Sequence, residues 1–137
     1  MISPELISVS AEILLAAGGM ALLVLPGLRS ARLLGLLTLL TLAAAANLKM
    51  CAFCCRPAGA AGAFSGMLAL DPFAFFIQGG ILVAMALVAL SVMGFARQEV
   101  RARREFHALF LLTGTGLLIT AGANNLILIY LGIEMIS

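Results

Sequence analysis

The chain has 137 residues, 64% of them hydrophobic and only 10% charged, with a net charge of +2. Soluble domains carry about a quarter charged residues, so this composition excludes an ordinary soluble domain, and so small a net charge gives no case for a nucleic-acid partner. Long apolar runs separated by short charged patches indicate an all-α membrane protein, a polytopic transmembrane helix bundle in the lipid bilayer.

Five helices are expected in chain order. The first covers about residues 4–25. It starts at Ser3-Pro4-Glu5 or at Ser10-Ala11-Glu12, both good N-caps with an acid in the first turn, and Pro26-Gly27 ends it. The first basic residue is Arg29, so the charged n-region of a secretory signal is missing and no cleaved leader is expected. The second helix covers about residues 33–55. A Gly/Ala-rich stretch from Arg56 to Leu70 follows. It lacks the Lys-Ser/Thr of a phosphate loop and is expected to be a flexible connection. Asp71-Pro72 opens the third helix, about residues 72–96, with proline at the first position. After the polar stretch from Arg97 to Glu105, the fourth covers about residues 106–121. The fifth opens near Asn124-Asn125 and runs to Ser137, incomplete. At 1.5 Å per residue each of the first three can cross a hydrocarbon core of roughly 30 Å.

Orientation follows from the arginines. Arg29 and Arg32 lie in the first connection, and Arg97, Arg101, Arg103 and Arg104 in the third. Both connections share one side if every helix crosses, and that side is expected to be the cytoplasm, with the N-terminus outside. Gly18-Gly19, Ala43 to Ala46, Gly79-Gly80 and Thr113-Gly114-Thr115-Gly116 supply small residues for close helix contacts.

Among the few ionisable residues, Glu134 is the candidate functional group, a proton relay. Ten residues beyond Asn124, it is expected about 15 Å into the membrane, where a carboxylate needs a partner, a water-filled cavity or a proton. A frayed, water-exposed helix end is the structural alternative. Lys49, about 24 Å up the second helix, is expected to snorkel to the outer interface rather than to reach Glu134. Cys51, Cys54 and Cys55 share a helical face. With the sole histidine, His107, on the opposite side of the membrane, they read as packing residues and no metal site is assigned. His107 itself reads as an interfacial side chain, and topology alone explains the arginine cluster. No nucleophile–base pair or dinucleotide fingerprint is present, so chemistry on a soluble substrate has no support.

The run Arg104-Glu105-Phe106-His107-Ala108-Leu109, then Gly116-Leu117-Leu118, then Ala121-Gly122-Ala123-Asn124-Asn125-Leu126, then Tyr130-Leu131-Gly132-Ile133-Glu134-Met135-Ile136-Ser137 resembles the NuoN-type subunit (subunit N) of proton-pumping NADH:quinone oxidoreductase, bacterial complex I. That family shows an E-F-Y start, a small-residue A-N-[DH]-L turn and an L-G-[IL]-E-[LM]-x-S run in these two helices. Here His107 stands where an aromatic is usual, and Asn125 where Asp or His is common. The resemblance implies an antiporter-like subunit of a translocase in the bacterial inner membrane. It would contribute to proton translocation coupled to quinone reduction and hold no redox cofactor of its own. NAD, FMN, iron–sulfur clusters and quinone would belong to other subunits of complex I, its partners. Glu134 matches the family's fifth-helix glutamate, which works with lysines on later helices. Only the first third of such a subunit is represented. Mrp-type cation/proton antiporter subunits share that glutamate but usually carry an aromatic before it, where Ile133 stands here. A structural multi-pass protein without transport would leave Glu134 without purpose. Fourteen residues from Asn124 span only about 21 Å, so the sequence is expected to stop within a helix that continues, as a fragment of a larger subunit.

Overall fold

A computed structural model describes residues 4–24, 30–54, 62–94 and 100–137. The Pro26-Gly27 break, Arg29, Cys55, Arg56 and Arg97 lie outside the described residues. The first apolar run uses both of its start signals: α1 spans Pro4–Ser8 and α2 spans Ser10–Val24. Ser10 Oγ donates to the Ile7 carbonyl at 2.8 Å, and the Ile13 N–H takes the Val9 carbonyl at 3.0 Å. That side-chain bond competes with continued helix pairing and sets the break at Val9.

Helix α3 spans Ala31–Cys54, and its Thr38 and Thr41 hydroxyls donate to the carbonyls of Leu34 (2.9 Å) and Thr38 (2.8 Å). Polar groups inside the apolar span are thereby satisfied within the helix itself. The expected flexible connection is partly structured instead. A short antiparallel hairpin pairs β1 (Gly62–Ala63) with β2 (Leu68–Ala69). Its turn holds Phe64, Ser65 and Gly66 at φ of 51°, 57° and 83°. Only Gly66 takes that left-handed backbone without steric cost. The hairpin is tied down by Asn124, whose backbone N–H donates to Met67 O (2.8 Å) and whose side chain donates to Gly66 O (3.1 Å). No composition signal announces this tether, because its two halves are 58 residues apart.

Helix α4 spans Pro72–Gly94 and starts where Asp71 Oδ1 accepts the Ala74 N–H at 2.6 Å. Helix α5 spans Val100–Gly122, beginning six residues before the Phe106 start that hydropathy suggests. Arginine is a good helix former, so winding continues past the point where the sequence turns polar. Helix α6 spans Leu126–Ile136, with Asn125 as N-cap accepting from the Ile127 N–H at 2.9 Å.

Helix α5 is the hub, packed against α2, α3, α4 and α6. Leu15, Leu34, Leu111 and Leu118 are fully buried around it. Small residues explain how the helices approach so closely. Gly19 lies against Leu112 and the Ala108 carbonyl, Gly114 against the Met85 side chain, and Gly116 against Gly132 and Ile136. Gly79-Gly80 departs from expectation: nothing lies within 4 Å of where their Cβ atoms would be. With Ala43 and Ala46 they line an open groove between α3 and α4 of about 840 Å³.

Three helical stretches, Arg32–Cys54, Pro72–Met93 and Arg104–Gly122, are long and apolar enough to cross a membrane, and Ser10–Val24 and Leu126–Ile136 are shorter apolar helices. Leu40, Phe76, Val83 and Leu87 are exposed on the outside of the bundle, where lipid is their natural solvent. The architecture is an all-α membrane helix bundle, as the composition predicts.

Candidate functional site

The α5–α6 pair fixes where Glu134 points. Gly132 packs on Thr120 and Gly116, and Ile136 packs on Gly116, so these positions mark the face of α6 that touches α5. Two residues beyond Gly132 is a rotation of about 200°, which turns Glu134 to the opposite side. It is exposed there, beside the exposed Tyr130, Leu131 and Ile133. From the same contacts Glu134 lies level with about Gly116 to Leu118. At 1.5 Å per residue that is roughly 20 Å along α5 from Arg104, nearer the Gly122 end than a count from Asn124 suggests. Among the described residues its carboxylate meets no cation, and the ion pair they form lies elsewhere.

That ion pair overturns the expectation for Lys49. Lys49 does not snorkel to the interface: it is 7% exposed, and its Nζ lies 2.5 Å from Glu12 Oε1, with Glu12 itself 4% exposed. Nζ also donates to the Ser8 carbonyl at 3.1 Å. Breaking the first run at Val9 frees that carbonyl end and starts α2 at Ser10, which brings Glu12 one turn later onto the face toward α3. Glu12 Oε2 is buried with no hydrogen-bond partner among the described residues. Two buried charges of opposite sign relieve each other's desolvation, so mutual pairing, more than either interface, accounts for both positions. Sequence reasoning assigned Glu12 only a helix-start role. The missed signal was the sole lysine of an apolar helix facing an acid at the same end of the neighbouring helix.

His107 is likewise buried, at 2% exposure, not interfacial. Its Nδ1 lies 3.1 Å from Thr38 Oγ1. Thr38 Oγ1 is also 2.9 Å from Leu34 O, so one buried hydroxyl lies between the α3 backbone and the imidazole. A buried polar pair thus joins α3 to α5 near the arginine end. Cys51 and Cys54 are exposed, not packed in the core, because the helix face they share points out of the bundle.

No protein-family model matches the chain, and no solved structure matches it. Several curated proteins do. An NADH-quinone oxidoreductase subunit N of Desulfitobacterium hafniense is 34% identical over 141 residues, covering 100% of this chain and 28% of the relative. The protein of that name from Azorhizobium caulinodans is 31% identical over 98% of the chain and 28% of its own length. That of Parvibaculum lavamentivorans is 34% identical over 96% of the chain and 27% of its own length. The chain therefore spans little more than a quarter of the length of the relatives it matches.

Proposed function

The chain is a homologue of the N-terminal part of NADH-quinone oxidoreductase subunit N, and on that premise we propose that it serves in a subunit contributing to proton translocation coupled to quinone reduction. The observation that carries this is similarity to such subunits along 96–100% of the chain. The subunit sits in the bacterial inner membrane beside the other membrane subunits of complex I, with its N-terminus outside. Electron transfer through NAD, FMN, iron–sulfur clusters and quinone belongs to those other subunits. This chain supplies helices and ionisable side chains.

Glu134 is the proton-relay residue in this reading. Its place on the α6 face turned from α5 leaves it open to a lysine carried by another helix. Quinone reduction elsewhere changes the field along a line of buried ionisable groups, and Glu134 responds by changing its proton or its pairing. In low dielectric a change in one partner's charge strongly alters the proton affinity of the other, which is the physical content of such a relay. The Asn125 cap fixes where α6 starts and so where Glu134 falls.

The test is Glu134→Gln in the full subunit within the assembled complex. Proton pumping in vesicles is expected to fall at least tenfold while the amount of assembled complex is maintained. Pumping at the parental rate would remove Glu134 from the relay.

A further inference from the structure

Beside the Glu12–Lys49 pair lies a cavity of about 30 Å³, lined by Ser8, Lys49, Ala52, Asp71, Phe75 and Gln78 among others. A water needs roughly 10–15 Å³ of such space and two to four polar partners, so the cavity accommodates at least one. Polar partners are present. An ammonium has three N–H donors, and Lys49 spends two of them on Glu12 Oε1 and Ser8 O. The third N–H has no acceptor among the described residues, and the residue that bears it borders the cavity. Gln78 stands on the α4 side, its Nε2 held by the Leu118 carbonyl at 3.0 Å. Asp71, exposed at the start of α4, marks where the cavity meets the surface. It is the one titratable residue besides Lys49 among the named lining residues, and Glu12 faces Lys49 from α2.

We propose that this cavity is a water-filled inlet through which the Glu12–Lys49 pair exchanges protons with the aqueous phase on the Asp71 side of the membrane. The buried pair and the water-sized space beside it carry the proposal together. A pair needed only for packing has no use for a hydrated neighbour, and a surface pocket needs no buried cation behind it. In one exchange a Lys49 Nζ–H proton passes to Glu12 Oε1, and the electron pair left on nitrogen takes a proton from hydronium in the cavity, whose O–H bond breaks to leave water. Glu12 is then neutral, the ammonium that remains borders the cavity water, and the reverse step restores the ion pair. The pair so alternates between net charge zero and plus one, at a place separate from Glu134. The exchange claim rests on the reading of the subunit as a proton carrier, whereas the inlet itself does not.

Silver ion, close to water in size and reactive toward thiols, probes the inlet in the full subunit within its complex. The background has Cys51, Cys54 and Cys55 replaced by serine, in vesicles exposing the Asp71 side. Lys49→Cys and, with the ion pair intact, Gln78→Cys are expected to react at least tenfold faster than Leu34→Cys, a fully buried position on α3. Ala52→Leu, which fills the cavity, is expected to slow Gln78→Cys to the Leu34→Cys rate. A Gln78→Cys rate no faster than Leu34→Cys, or one that Ala52→Leu leaves alone, overturns the inlet. For the exchange, Glu12→Gln combined with Lys49→Met is expected to lower protons pumped per quinone reduced at least twofold. An unaltered ratio overturns the exchange if Glu134→Gln does abolish pumping. If Glu134→Gln also leaves pumping intact, the proton-carrier reading falls and the exchange claim falls with it.

Discussion

Glu12 and Lys49 hold opposite charges in a setting where either alone is a liability. Removing one partner of a buried pair strands the other and costs about 3–5 kcal/mol, while replacing both by apolar groups of similar volume is often neutral or stabilising. Glu12→Leu and Lys49→Met are therefore each expected to destabilise by roughly that amount. The double variant is expected to be at least as stable as either single one. Unfolding of the purified subunit in mixed detergent micelles, run as a double-mutant cycle, measures the coupling. Two single variants each costing under about 1 kcal/mol would show that water relieves both charges without the partner. His107 and Thr38 pose a smaller version of the same problem at the other end of α3. Their bond is satisfied inside the bundle, so the histidine need not reach the interface.

At the scale of the helices, glycines decide which faces meet. A Cβ at Gly116 would stand 2.8 Å from the Gly132 carbonyl and 3.0 Å from Met135 and Ile136 side chains. The first neighbour is backbone and cannot rotate away, so α6 must shift bodily. Gly116→Val is expected to cost about 1–3 kcal/mol, the usual range for overpacking, and to loosen α6. Gly79→Val is expected to cost far less, because its Cβ meets open space. Thermal unfolding of the two variants side by side checks this, and equal losses would mean that the open α3–α4 groove is filled in the assembled protein. Sequence alone cannot separate these glycines. Both occur as small residues in apolar runs, and only the pairing of helices tells which faces touch. The same limit hid the Glu12–Lys49 contact, whose partners are 37 residues apart on different helices. Local signals fared better: the caps at Asp71 and Asn125 act within three residues of themselves, and both were legible.

For the molecule as a whole, composition was the strongest signal, because lipid leaves a chain few ways to satisfy its backbone and helices are the simplest. Connections were harder to foresee, since the β1–β2 hairpin is tied down by Asn124, 58 residues from its partner Gly66. The structure brings the starts of α3 and α5 together, with Thr38 bonded to His107, so Arg32 and Arg104 belong to one end of the bundle. Cys51 and Cys54, at the far end of α3, mark the other end and are exposed there. Loops rich in arginine stay in the cytoplasm because carrying their charge across the membrane is disfavoured. In right-side-out vesicles a membrane-impermeant maleimide is therefore expected to label Cys51 and Cys54. A cysteine introduced at the exposed Ser30, two residues before Arg32, should react only after the vesicles are opened. The reverse pattern would place the N-terminus in the cytoplasm. It would also turn the proposed inlet beside Lys49 from the outer face to the inner one.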